Sequence, residues 1–177
     1  MILDLDETII HCVSDPPAPG SNIVSFEIMA SGFKSVILLR PNYFEFLRFL
    51  LEQFSEIYVY TAGTHEYATA VVSEIFGTEI LTNMWSRAHC EDDIIQGRTY
   101  KPLFNKFSHE NVCIDDTRTF IIDDRDDVSA RNFNAKNDPA RGLNNHYIIP
   151  QFRGDENDDE LLKVMTRILE WKREFAT

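Results

Sequence analysis

Two aspartates two residues apart, Asp4 and Asp6, close the apolar run Met1, Ile2 and Leu3, and Thr8 follows them. A short apolar run before a polar turn reads as a buried strand ending at a site. In open α/β sheets, chemistry collects beyond the carboxyl ends of the strands. Two carboxylates held that close in a buried place repel each other, which is costly unless a cation or a proton lies between them. Mg2+ is the simplest answer, because a hard ion takes carboxylate, backbone carbonyl and phosphate oxygens. A solvated acidic turn after a strand is the plainer alternative for this stretch alone.

The pattern recurs. Phe120, Ile121 and Ile122 run into Asp123 and Asp124 as Leu3 runs into Asp4. The run Ile57 to Tyr60 ends in Thr61-Ala62-Gly63, and Lys101 stands in a polar position between these strands. If the strands are parallel neighbours, all these groups meet on one edge of a sheet. Carboxylates there hold a metal, a hydroxyl and an ammonium hold a phosphate, and one carboxylate is left to attack. That equipment suits phosphoryl transfer, in which cations offset the charge of the phosphate so that an anionic nucleophile can approach.

The elements that must position these groups follow an α/β rhythm. Asp15 to Ser21 is a turn by composition. Ile23 to Met29 and Lys34 to Leu39, separated by Ala30, Ser31 and Gly32, predict a hairpin. Pro41 to Phe54 carries apolar residues at Phe44, Leu47, Leu50, Leu51 and Phe54, which is helical spacing with Pro41 at the start. His65 to Phe76, closed by Gly77, predicts a second helix after the Ile57–Tyr60 strand. Such alternation indicates a parallel sheet with crossover helices. Glu79 to Tyr100 breaks the rhythm and is read as a small antiparallel insertion. Leu103 to Phe107 is read as one helical turn and Arg131 to Asn145 as a loop. His146 to Ile149 predicts a last strand, and the acidic run Asp155 to Glu160 precedes an amphipathic helix through Leu161, Leu162, Met165, Ile168, Leu169 and Trp171. Acidic residues at a helix N-terminus suit its dipole.

Composition narrows the classes. The 177 residues suit one domain, and 44% hydrophobic residues with 13 Phe supply an ample core. A formal net charge of -12 argues against broad nucleic-acid binding or a basic membrane surface. Cys12, Cys90 and Cys113 are odd in number and far apart, so neither a disulfide framework nor a zinc site is expected, and a reducing compartment is. No apolar run approaches the ~20 residues of a membrane span. The strand-like opening leads to the expectation of no signal peptide, and its abrupt start to that of an upstream segment.

Asp4-Leu5-Asp6-Glu7-Thr8, Thr61, Lys101 and Asp123-Asp124 resemble, in order, the four motifs of the haloacid dehalogenase (HAD) superfamily. Glu7 stands where many HAD phosphatases have Gly. The stretches L-D-L-D-E-T-I-I-H, L-L-R-P at Leu38 to Pro41 and Y-T-A-G at Tyr60 to Gly63 resemble the FCP/SCP branch. These are the phosphatases of the RNA polymerase II C-terminal domain (CTD), also called NLI-interacting-factor-like. I-I-D-D-R-D-D-V at Ile121 to Val128 looks closer to the TFIIF-associated CTD phosphatases than to the small ones. The resemblance covers nearly the whole chain. It implies a single HAD-like domain over 1–177, a Rossmannoid three-layer α/β sandwich. Such a domain has a central parallel sheet, a β-hairpin after the first motif, a small antiparallel insertion and no large cap.

The roles it implies are specific. Asp4 is the nucleophile that forms an aspartyl-phosphate. Asp6 is the acid for the leaving alkoxide and then the base for water. Asp4, the backbone carbonyl of Asp6, and Asp124 with or beside Asp123 hold Mg2+. Thr8, Thr61 with Ala62, and Lys101 bind the phosphoryl oxygens; the long spacing from Lys101 to Asp123 keeps Lys106 as the fallback. A second acidic pair, Asp115-Asp116, also follows an apolar run, but Ile121-Ile122 make the later strand the stronger match. Arg87 and Tyr67 match substrate-contacting positions, and Thr64 replaces a groove-lining leucine, so the substrate preference is expected to differ. The implied enzyme is an intracellular, nuclear or nucleo-cytoplasmic Mg2+-dependent phosphatase. Its implied substrates are phosphoserine or phosphothreonine peptides of the CTD kind, with no direct nucleic-acid or membrane partner. The alternatives are a small-molecule phosphatase of the same chemistry and a non-catalytic interaction module of the same fold. Among the remaining residues, Cys12 and Cys90 are expected to be buried and small, most histidines structural, and Trp85 and Tyr100 either core or groove.

Overall fold

The computed structural model describes residues 1–77, 80–93, 98–102, 118–125 and 145–175, without the side chains of 93, 98 and 175. Lys106, Asp115-Asp116, Cys113, His109, the turn read at Leu103 to Phe107 and all but Asn145 of the loop read at Arg131 to Asn145 lie outside the described residues.

Strands β1 (Ile2–Leu3), β2 (Ile10–Val13), β3 (Ser25–Ala30) and β4 (Phe33–Leu39) lead to helix α1 (Tyr43–Gln53). Strand β5 (Tyr58–Tyr60), helix α2 (His65–Ile75), strand β6 (Asn83–Trp85) and a 3-10 turn at Arg87–His89 follow. The remaining described elements are β7 (Glu91–Asp93), β8 (Arg98–Tyr100), β9 (Ile121–Asp123), β10 (His146–Ile148) and helix α3 (Glu160–Phe175).

Five strands make one parallel sheet in the order β10-β9-β1-β5-β6. The two-residue β1 lies at its centre and is wholly apolar and buried, as a strand covered on both faces must be. Its register sets Leu3 opposite Val59 on one side and Ile122 on the other. Asp4 and Asp123 therefore leave the sheet side by side, one row beyond.

The helices bury narrow stripes. In α1 the buried residues are Tyr43, Phe46 and Leu50, while Phe44 is 66% and Leu51 48% exposed. The spacing of Phe44, Leu47 and Leu51 is equally helical, but the aromatic pair Tyr43 and Phe46 takes the core side. Tyr43 also donates its hydroxyl to the Ile75 carbonyl at 2.7 Å, which satisfies an end group of α2. In α2 the stripe is Ala68, Val71 and Ile75, and the Thr64 side chain caps the helix by accepting from the Tyr67 N–H. In α3, Leu161, Val164, Ile168 and Trp171 are buried. Each of these large apolar side chains contributes about 1.5–3 kcal/mol of burial.

Two local assignments change. β6, inside the stretch read as an antiparallel insertion, is a parallel strand of the central sheet. The antiparallel part is the β7–β8 pair. Strand β6 has three residues with one buried side chain, Trp85, too little for an alternating signal. The predicted hairpin is present as β3 and β4 and gains a third strand, because β2 pairs with β4 from Ile10 opposite Leu39 to Val13 opposite Val36.

Candidate active site

The first-motif loop is wound tightly around one carbonyl. The Leu5 oxygen accepts from the N–H groups of Thr8, Ile9 and Ile10 at 3.2, 2.9 and 3.1 Å. The turn requires a left-handed residue, and Glu7 takes it with φ 59. A glycine would take this conformation without a Cβ penalty. The loop points Asp4 and Asp6 to different partners, although they are two residues apart.

Asp4 is 5% exposed and faces the end of β9. One ligand oxygen from each of Asp4, Asp123 and Asp124 lies within 4.8 Å of the others. The buried Lys101 ammonium donates to Asp4 Oδ1 at 2.5 Å and to Asp123 Oδ2 at 2.6 Å. Lys101 thus supplies a cation that two adjacent buried carboxylates need. Thr8 ties the two strand ends together: its hydroxyl donates to Asp4 Oδ2 at 3.2 Å and accepts from the Asp124 N–H at 3.1 Å. The Asp123 Oδ1 accepts from the Arg125 N–H at 3.0 Å.

Asp6 faces elsewhere. The Tyr67 hydroxyl donates to its Oδ1 at 2.5 Å and the Thr61 hydroxyl to its Oδ2 at 3.3 Å. Thr61 is held in place by the Gly63 N–H, which donates to its oxygen at 2.9 Å.

Burial sets the protonation of the site. It pushes the Asp4 carboxyl well above its usual range; Asp123 and Asp6 add to the rise, and Lys101 opposes it. Burial also raises Asp6, with Glu7 adding to the rise and the Tyr67 and Thr61 hydroxyls opposing it. Asp124 is raised by burial and by Asp123, against the Gln151 amide and Lys101. For Lys101, burial works to lower the pKa, but Asp123 and Asp4 outweigh it and hold the ammonium above its usual range. Tyr67 is raised by burial and by Asp6, so the phenol stays protonated and donates. The donor set of this edge, three carboxylates in reach of one another, is the hard oxygen type that Mg2+ takes.

Of the residues read from the sequence, Asp4, Thr8, Lys101, Asp123 and Asp124 are gathered in one hydrogen-bonded cluster. Asp6, Thr61 and Tyr67 form a second group beside it. Ala62 is half-buried in the loop after β5. Arg87 has an exposed side chain that donates to the Thr99 hydroxyl at 3.3 Å and lies 4.0 Å from Asp92. Trp85 is core, stacked on Tyr58 at 4.9 Å. Cys12, expected among the buried residues, is exposed on β2. His11 pairs with Glu7 at 3.2 Å, and His65 is exposed at the start of α2.

Three supporting residues had no role in the sequence reading. Arg40, 1% exposed, donates to the carbonyls of Thr8 and Pro150 and, through two nitrogens, to the Asp158 carboxylate, each at 2.8 Å. A charged residue closing the apolar run V-I-L-L was the available signal. Gln151 donates to Asp124 Oδ2 at 2.7 Å, and Arg153 donates to the Gln151 Oε1 at 2.7 Å and to Glu7 Oε1 at 3.3 Å. Nothing in a polar loop after a strand marks these two.

A parallel sheet that gathers carboxylates, an ammonium and hydroxyls at its carboxyl edge is the arrangement of HAD-like domains. The model of the family described as NLI interacting factor-like phosphatase matches residues 1–176, and the chain belongs to that family. An RNA polymerase II C-terminal domain phosphatase of Schizosaccharomyces pombe is 30% identical over 145 residues, covering 72% of this chain and 19% of that protein. The probable C-terminal domain small phosphatase of Dictyostelium discoideum is 32% identical over 92 residues, covering 52% of this chain and 30% of that protein. This chain thus spans less than a third of the length of either relative. The solved structure of Fcp1, an essential RNA polymerase II CTD phosphatase, superposes with a TM-score of 0.57 at 25% identity, over 99% of this chain and 49% of that one. No helix among the described residues is long and apolar enough to cross a membrane.

Proposed function

We propose that this chain is a phosphatase domain that hydrolyses phosphoserine or phosphothreonine in flexible peptides through a phosphorylated Asp4. The observation that carries the reading is the separation of two carboxyls. Asp4 is locked into the acid and lysine cluster, and Asp6 is set apart on Tyr67 and Thr61 with a raised pKa. One carboxylate attacks and the other handles protons.

The Asp4 carboxylate attacks phosphorus while Asp6 gives its proton to the departing serine or threonine oxygen, so the P–O bond to the substrate breaks as that to Asp4 forms. Asp6, now ionised, takes a proton from water, whose oxygen attacks phosphorus and returns Asp4 as a free carboxylate. Thr8 orients Asp4, Tyr67 and Thr61 orient Asp6, and Lys101 sets a positive charge where phosphoryl charge gathers. Mg2+, held by Asp4, Asp123, Asp124 and the backbone carbonyl of Asp6, would neutralise the phosphoryl oxygens. Thr61, Ala62 and Lys101 are assigned to the phosphoryl group, Tyr67 and Arg87 to the peptide beside it.

The matches to CTD phosphatases support a substrate of the RNA polymerase II CTD kind and a nuclear or nucleo-cytoplasmic setting. The family match over residues 1–176 is in keeping with one domain over the whole chain. The test is turnover of a phosphorylated CTD peptide against a panel of sugar phosphates with Mg2+ present. The peptide is expected to be hydrolysed faster. Faster turnover of the sugars would overturn the substrate assignment, and no turnover of any phosphate, aryl phosphate included, would overturn catalysis.

A further inference from the structure

Beyond β10, the segment Pro150 to Arg153 crosses the carboxyl edge of the sheet and is anchored on both sides of Gln151. On one side, the Ile149 N–H donates to the Asp123 carbonyl at 3.0 Å and Arg40 donates to the Pro150 carbonyl at 2.8 Å. On the other, the Phe152 N–H donates to the Glu7 carbonyl at 2.7 Å, and the Phe152 ring is buried 5.5 Å from the Arg40 guanidinium. The backbone at Gln151 is therefore fixed by the first-motif loop and by β9. Its exposed side chain is held by the two contacts it makes, to Arg153 and to Asp124.

The chemistry of its neighbours fixes the amide as well. Arg153 can only donate, so the atom it meets at 2.7 Å must be the Gln151 oxygen. The opposite end is then the NH2 group, directed 2.7 Å onto Asp124 Oδ2. Arg153 is itself aimed by Glu7, whose carboxylate it meets at 3.3 Å. A chain of polar contacts thus runs from the left-handed residue of the first motif through Arg153 and Gln151 to Asp124.

We infer that Gln151, oriented by Arg153, is a positioning residue that holds one oxygen of Asp124 and so presents the carboxylate for monodentate metal binding. The inference rests on the Mg2+-dependent reading above. The Gln151 amide occupies one lone pair of that oxygen, so swinging to chelate with both oxygens or turning outward to solvent costs this hydrogen bond. The surroundings of a metal ligand fix its orientation in this way and typically carry about 10–100-fold in affinity.

The test is calorimetric titration of Mg2+ into the substrate-free protein, with melting in EDTA as the control for folding. Gln151→Met keeps the length of the side chain and removes the donor. It is expected to raise the Mg2+ Kd about tenfold with the EDTA melting temperature unchanged. Arg153→Ala is expected to raise the Kd less, and the double variant no more than Gln151→Met alone, because Arg153 acts through Gln151. A purely structural role would lower the melting temperature in EDTA and leave the Kd of the folded protein alone. Folded Gln151→Met protein with wild-type Kd, or an Arg153→Ala effect that adds in full to it, would overturn the inference while leaving the phosphatase reading intact. A wild-type protein that binds no Mg2+ would overturn both.

Discussion

Asp4 and Asp6 part company at the end of β1, whereas Asp123 and Asp124 stay together at the end of β9. Both pairs follow a buried apolar run, and the runs are paired strands of one sheet. The difference lies in what comes next. After Asp4 the chain winds into the Leu5-centred loop, with Glu7 left-handed, and Asp6 swings out to Tyr67 and Thr61. After Asp123 the next residue is already Asp124, tied at its N–H to Thr8 and at its carboxylate to Gln151. A spacing of two residues with a tight turn sets two carboxyls apart, which the proposed mechanism uses as nucleophile and proton carrier. A spacing of one keeps two carboxylates together, within reach of Asp4, as the proposed cation site requires. Thr8, touching Asp4 and Asp124, keeps the two arrangements in register.

The largest effect that would sharpen this comparison comes from neutralising one member of each pair. Asp4→Asn is expected to lower turnover by at least about 10,000-fold at any Mg2+ concentration, because the attacking group is gone. Asp124→Asn is expected to lose less at saturating Mg2+ and to regain much of its activity as Mg2+ is raised. Steady-state rates over a Mg2+ titration separate the two; equal losses without Mg2+ rescue would erase the distinction between the pairs.

Protonation distinguishes them next. Tyr67 donates to the Asp6 carboxylate and so stabilises its charged form, against the rise that burial causes. Asp6 serves as an acid only while protonated, and an optimum below about pH 7 is expected for an unactivated phosphopeptide. In Tyr67→Phe the opposing hydrogen bond is lost, so the Asp6 pKa rises further. The alkaline limb of the kcat profile should then move to higher pH. A limb that stays in place or moves to lower pH would break the link between Tyr67 and Asp6.

Without metal, the raised folded-state pKa values of Asp4, Asp6 and Asp124 have a defined sign for stability. Each group binds its proton more tightly in the folded protein than in the unfolded chain. The stability it adds is fully present below its unfolded value, about 4, and is lost as pH rises through the folded value. In EDTA the melting temperature of Asp4→Asn should therefore exceed that of the wild type, by a margin that grows with pH above 4. Mg2+ should reverse the order. Melting curves from pH 4 to 8 with and without Mg2+ check both signs.

The smallest effect concerns the turn. Glu7→Gly relieves a left-handed residue but loses the contacts to His11 and Arg153. The net change is expected to lie within about 0.5 kcal/mol by urea unfolding. A loss several times larger would mean that Glu7 organises the loop through its side chain.

The sequence made the strand ends legible because carboxylates directly after Leu3 and Ile122 contradict the burial those runs demand. Asp4, Asp6, Thr61, Lys101, Asp123 and Asp124 could be named without knowing the strand order. The supports could not. Gln151 and Arg153 are ordinary polar loop residues until the register of β10 against β9 brings them over Asp124. Arg40 could be seen to end a strand, but three of its four side-chain hydrogen bonds reach Pro150 and Asp158, more than 100 residues away. In α1, periodicity allowed two faces, and only packing decided for Tyr43 and Phe46 over Phe44 and Leu51. Strand β6 was too short to carry any period.

The division of labour between Asp4 and Asp6 is tested most directly in Asp6→Asn protein exposed to an aryl phosphate with Mg2+. Such a leaving group needs little protonation, so Asp4 can still attack. Water activation is lost, so the phosphorylated enzyme should accumulate. With a phosphoserine peptide the same variant should scarcely react. Peptide mass spectrometry of the quenched protein is predicted to find one phosphoryl group, on Asp4. A phosphoryl group on any histidine or cysteine instead of Asp4 would contradict the account.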